Sequence, residues 1–324
     1  VLLGADQLAD RARAVARQQR LATRRRSRRE APLLTRLTHT RAILQNAYER
    51  LAAGAGRDVD VGPAGAWLLD NFHVVVEHID EVRATLPRDY YRELPELLDG
   101  PLAGYPRVYE LTVTLVSHTE ARVDRENLDL FLTAFQETSE LSLGELWSLP
   151  AMLRLVLIES VRRMALRTLE RMDSIEEADR LAGSIEAASA HGPAASEAAF
   201  GDFIAAPPRL TPAFVSRFLH KLRLTRQARP VLPRLEQWVA DRAMGAEEAA
   251  ALAAQHLALT QVMMAHSIGS LRTMAHLDWK SFVEGQSVAE AVLRTDPAGF
   301  YPRMTFATRD SYRHVVERIA RGTG

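Results

Sequence analysis

The sequence has no cysteine and almost no lysine, only Lys221 and Lys280 among its 324 residues. Without thiols it can form no disulfide, zinc–thiolate site, iron–sulfur cluster or cysteine nucleophile. It also lacks net charge, because 41 basic and 41 acidic residues cancel. That balance excludes a protein that is basic throughout, such as a nucleic-acid compactor. Long apolar runs are missing. The most apolar stretch, 149–158, holds Pro150 and Arg154 and is far short of the roughly 18–20 residues a membrane span needs. There is no nucleophile elbow, no H-E-x-x-H pair and no P-loop, and no βαβ alternation that would build a nucleotide-binding sheet. The start, Val1-Leu2-Leu3-Gly4, has neither a methionine nor the basic-then-apolar order of a secretion signal, and reads as a fragment of a longer chain.

What is present is helical periodicity. Leu68, Phe72, Val75, Ile79, Val82 and Leu86 recur at alternating spacings of four and three, one apolar stripe along a helix. Pro63 suits its first turn and Pro87 ends it. Ser142 and Glu145 form an S-x-x-E capping box ahead of a helix over about 143–172, which Pro150 should kink. Further helices are predicted near 5–28, 33–53, 126–138, 174–189, 211–227, 231–243, 246–275, 279–294 and 308–321, with Thr211-Pro212 and Asp278 as starts. The segment 108–116 alternates like a strand but also fits a helix. It has no evident partner strand and is read as helix. The predicted fold is therefore all-α, a multi-helix array of two lobes, with a basic arm or helix over 1–30, an N-terminal lobe over 31–190, a hinge over 191–210 rich in Ala, Ser, Gly and Pro, and a C-terminal lobe over 211–324.

Several side-chain groups invite a chemical reading. Asp70, His73 and Glu77 share one helix face and could contribute to a metal site, but a bundle metal centre needs an E-x-x-H helix that the sequence does not contain. A solvated or hydrogen-bonded polar face is the favoured reading, and no metal is expected. Asp58-Val59-Asp60 is a D-x-D in a glycine loop, better read as a helix cap than as a metal–nucleotide site. His256 and His266 lie ten residues apart on one helix, too far for one metal. The loop before 111 concentrates Tyr90, Tyr91, Arg92, Tyr105, Arg107 and Tyr109. These rings could stack on a glycan or dock a partner domain, or plug the gap between helices. No catalytic residue is assigned.

The charge balance hides an asymmetry. Arg11, Arg13, Arg17, Arg20, Arg24, Arg25, Arg26, Arg28 and Arg29 are nine arginines in a stretch without acids, leaving 32 basic groups against 41 acidic ones elsewhere. Such an arm suits an anionic membrane surface or nucleic acid, or is a solvated terminal helix. No aromatic residue interleaves with it, so a single-strand stacking platform is disfavoured.

Taken together, WLLDNFHVVVEHI (67–79), LPRDYYRELPELLDGPLAGYPRVYEL (86–111), GELWSLPAMLRLVLIESVRRMA (144–165), SIGSLRTMAHLDWKSFVE (267–284) and DPAGFYPRMTFATRDSYRHVVERIA (296–320) resemble the N-terminal region of bacterial cyclic β-1,2-glucan synthases. The resemblance covers about 60–172 and 256–320, and five motifs in family order make it specific. Thr305 stands where the family usually has an acid, so a charged contact is not carried over to it. The resemblance implies a large inner-membrane parent that uses UDP-glucose, with a divalent metal, to build and cyclise a β-1,2-glucan. It implies that this region lies on the cytoplasmic face and contacts downstream domains of its own chain. It supplies no catalytic residue, because the family's catalytic motifs lie elsewhere. The expected role is a scaffold or regulatory region without a cofactor of its own. A module holding β-1,2-glucan and an arm binding a membrane surface are the alternatives, and nucleic acid is the least favoured partner.

Overall fold

The computed structural model describes residues 2–22, 31–57, 59–226 and 228–323. The described residues form an all-α array with no sheet. In chain order the helices are α1 (Ala5–Gln18), α2 (Pro32–Ala55), α3 (Gly62–Thr85), α4 (Arg88–Glu93), α5 (Arg107–His118), α6 (Arg125–Gln136) and α7 (Leu143–Ala190). They continue as α8 (Pro193–Ala205), α9 (Pro212–Leu224), α10 (Leu232–Arg242), α11 (Ala246–His276), α12 (Trp279–Gln286), α13 (Val288–Leu293) and α14 (Phe306–Thr323), with a 3-10 turn at Tyr301–Arg303 before the last. No helix among the described residues is long and apolar enough to cross a membrane.

The helix starts follow the sequence. Thr211 accepts from the Phe214 N–H at 3.2 Å and Asp278 from the Ser281 N–H at 3.2 Å, each satisfying an orphan donor of a first turn. Segment 108–116 is helical, inside α5. Three predicted helix bounds need correction. The helix predicted over 5–28 stops at Gln18, and the chain goes on extended to Ala22. The break predicted near 173 does not occur: α7 runs unbroken through Pro150 and Ser174, since nothing in that stretch after Pro150 forbids helix. The helix predicted over 279–294 is split at Ser287, whose hydroxyl accepts from the Glu290 N–H at 3.2 Å and so starts α13. The presumed hinge at 191–210 contains α8, with Pro193 in its first turn and Phe200 and Phe203 buried.

The chain divides into two compact units, one of Val1–Ala42, His73–Ser160 and His266–Gly324, the other of Ile43–Phe72 and Val161–Ala265. The divisions fall inside α2, α3, α7 and α11. In the first unit, α1 packs on α6 and α5 through Leu8, Ala12 and Val15, spaced four and three apart and all buried. The start of α7 is buried on nearly every side: from Leu149 to Ile158 every residue except Pro150 is buried, Arg154 among them. Near the C-terminus, Arg313 and Glu290, each 1% exposed, form a buried ion pair. Tyr301 donates to Glu290 at 2.7 Å, and Arg309 and Arg313 both reach Glu284 at 2.8 Å. Burial and the Glu290 carboxylate push the Tyr301 phenol up to about 12. Thr305 accepts from the Thr308 N–H at 3.4 Å, the capping contact an acid would also make.

The second unit has an aromatic core. Phe203 stacks on Phe218 at 5.1 Å and meets Trp238 edge-on at 5.3 Å, while Phe214 stacks on Phe218 at 5.2 Å. This cluster draws on α7, α8, α9, α10 and α11.

Candidate functional site

The tyrosine–arginine segment and the described part of the arm, both in the first unit, come together. Gly100 and Gly104 adopt positive φ, available to glycine without strain, and let 97–105 fold back on itself. The Leu97 N–H donates to the Tyr105 carbonyl at 2.9 Å and the Gly104 N–H to the Leu97 carbonyl at 2.8 Å. The extended residues after α1 lie along this turn: the Leu98 N–H donates to the Arg20 carbonyl at 2.8 Å, and the Ala22 N–H to the Glu96 carbonyl at 3.0 Å. Gln19 donates to the Arg107 carbonyl at 3.2 Å and to Glu110 at 2.9 Å.

Arg107 is the centre of the arrangement. Its Nε and Nη2 donate to the two carboxylate oxygens of Glu145 at 2.5 and 2.9 Å. Nη1 donates to Ser139 Oγ at 2.8 Å, and Nη2 also to the Glu140 carbonyl at 2.6 Å. Glu145 at the same time closes the capping box of α7, taking the Ser142 N–H at 2.9 Å and hydroxyl at 2.8 Å. One carboxylate thus starts a helix and neutralises a buried guanidinium. Tyr91 and Tyr109 are buried, Tyr105 is half-buried and stacks on Tyr109 at 5.7 Å, and Tyr90 donates to the Gly144 carbonyl at 2.5 Å. Arg92 is exposed and pairs with Asp89 at 3.1 Å. Sequence alone singled out Arg107 but not its partner; the sign was the S-x-x-E box that contains Glu145.

Of the arm arginines, Arg13 pairs with Glu137 at 2.7 Å and Arg20 with Asp99 at 3.2 Å. Arg11 and Arg17 are exposed, with no ion pair among the described residues. Arg24, Arg25, Arg26, Arg28 and Arg29 lie outside the described residues. Asp70, His73 and Glu77 are all exposed, and no cluster of potential metal ligands occurs among the described residues. Asp58 also lies outside them. Asp60 accepts from Arg171 at 2.5 Å and from the Gly62 N–H at 2.9 Å. Burial raises its pKa, but the Arg171 hydrogen bond and charge outweigh that and hold it below the usual carboxylate range. His256 is exposed, and His266 Nδ1 lies 3.0 Å from the Glu120 carbonyl.

The fold and these contacts define an all-α region in which Arg107, Arg13 and Arg20 are held by Glu145, Glu137 and Asp99, while Asp70, His73 and Glu77 stay at the surface. No family model matches the chain. Over 279 residues, 86% of its length, it is 33% identical to the cyclic β-(1,2)-glucan synthase NdvB of Rhizobium meliloti (strain 1021). The matched part is 10% of that protein. The resemblance to the cyclic β-1,2-glucan synthases therefore stands, and the chain corresponds to about a tenth of the length of the relative it matches.

Proposed function

We propose that this chain is a non-catalytic helical scaffold or regulatory region of a cyclic β-1,2-glucan synthase, a membrane glucosyltransferase that makes cyclic glucan from UDP-glucose. The observation that carries this reading is the 33% identity to such a synthase across 86% of the chain. The engagement of Arg107, Glu145 and Tyr90 in internal contacts supports a structural role for the tyrosine–arginine segment over a glycan-binding one. UDP-glucose and its divalent metal are assigned to other parts of the parent. In this reading the arginine-rich arm is attracted to the anionic leaflet on the cytoplasmic side, where each basic residue near the surface and not already paired adds about 1 kcal/mol.

The test has two arms. The purified chain, incubated with UDP-glucose and a divalent metal, should release no UDP and form no glucan; turnover would overturn the reading. A full-length synthase carrying Arg107→Ala should make less cyclic glucan than its parent, and an unchanged yield would remove the scaffold role.

A further inference from the structure

The second unit contains a cavity of about 400 Å³, within the size range of small-molecule sites. Its guanidiniums are Arg167 and Arg171 of α7 and Arg209 before α9, and the His256 side chain of α11 also lines it. Two of the three guanidiniums are neutralised: Arg171 by Asp60 and Arg209 by Glu170. Arg167 is exposed, with no ion pair among the described residues. The cavity thus carries one uncompensated guanidinium, and the first turn of α9, Pro212-Ala213, also lines it, adding the positive end of a helix dipole.

Two further observations point to a ligand. Thr260 lines the cavity at 7% exposure, and its hydroxyl, without a hydrogen-bond partner among the described residues, opens into the cavity and is free to meet a ligand. Val61, Ala64, Pro212, Leu257 and Leu259 make much of the remaining wall apolar. Among its other polar groups, Thr168 is engaged with the Met164 carbonyl, Thr211 with Ser174 and Glu170 with Arg209. No Phe, Tyr or Trp lines the cavity. A nucleobase or sugar ring would find nothing to stack on. A charged head on an aliphatic body matches both halves of the lining.

We propose that this cavity binds a small organic anion, its carboxylate or phosphate head held by Arg167 and hydrogen-bonded to Thr260, its aliphatic body against Val61 and Leu257. Sodium hexanoate and monohexyl phosphate distinguish the two heads; inorganic phosphate and 1-hexanol separate head from body. Titrated calorimetrically into the full 324-residue chain, at least one hexyl anion should bind saturably with a dissociation constant of about 1 mM, as expected for so small a ligand. Phosphate alone and hexanol should each bind at least about tenfold more weakly. Arg167→Gln should weaken the anion at least about tenfold while leaving the melting temperature in place, because Arg167 is exposed and unpaired. Ala253→Phe, which fills the cavity from the α11 wall, should abolish binding and keeps the test decisive should the first variant misfold. Absence of binding by both anions at about 20 mM, or binding that neither substitution alters, would overturn the proposal.

Discussion

Replacing Arg107 by alanine separates a structural clamp from a docking residue. The side chain donates four hydrogen bonds, at 2.5 and 2.9 Å to Glu145, 2.8 Å to Ser139 and 2.6 Å to the Glu140 carbonyl. Arg107 is 6% and Glu145 1% exposed. Truncation leaves a buried carboxylate whose remaining donors are the Ser142 N–H and hydroxyl. Removing one member of a buried pair costs about 3–5 kcal/mol. The double change Arg107→Met with Glu145→Leu leaves no unpaired charge but gives up the capping box, a loss of about 1 kcal/mol. Urea unfolding measures both, through midpoints compared at constant slope. The single variant should be the less stable of the two. A single-variant loss below about 1 kcal/mol, or equal losses for single and double, would refute the clamp. A docking residue would instead leave the midpoint unchanged and lower affinity for a partner.

Two further outcomes follow from the packing. His78, buried in α3, accepts from Arg154 Nε at 3.0 Å, with Glu81 3.6 Å from the same guanidinium. Burial and the Arg154 charge hold its pKa below the ordinary 6.5 despite Glu77 and Glu81. The unfolded chain therefore protonates first, so this contribution is complete above about pH 6.5 and is lost as the pH falls below it toward the folded-state value. His78→Gln should flatten the decline in urea midpoint between about pH 7.5 and 5, and an unchanged slope would contradict it. In the second unit, Phe203→Ala removes a ring packed on both Phe218 and Trp238 and should destabilise by about 3–5 kcal/mol in the same assay.

How much of this was legible depended on whether the deciding contact was local. The α3 stripe, the Thr211 and Asp278 caps and the Ser142–Glu145 box are set within one or two turns, and each could be read from spacing. The continuity of α7 through 173 and the folding of 191–210 into α8 were not, because Ala, Ser and Gly leave propensity undecided and the tertiary burial of Phe200 and Phe203 decides. The same holds for the candidate site. Tyrosines and arginines were recognisable as a cluster, but which faced solvent depended on Glu145, Ser139 and Gln19. Their sequence separations from Arg107 are 38, 32 and 88 residues.

The shortage of lysine has a structural counterpart. Arg107 satisfies three different acceptor groups at once, and Arg313 reaches Glu284, Glu290 and Asp310 from one side chain. A planar guanidinium with five donors can do this, whereas an ammonium is a single point with three. Charge counted along the chain is therefore a poor guide to charge offered to a partner, since Arg13, Arg20, Arg107 and Arg313 are already matched inside the fold. Arg107→Lys makes this testable. It keeps the positive charge opposite Glu145 but cannot make the two-pronged contact while also reaching Ser139 and the Glu140 carbonyl. If charge alone mattered, the lysine variant would match the parent in urea midpoint. If the fork geometry matters, it should lose about half or more of what alanine loses, roughly 2 kcal/mol. A lysine variant within about 0.5 kcal/mol of the parent would show that the buried site needs only a cation.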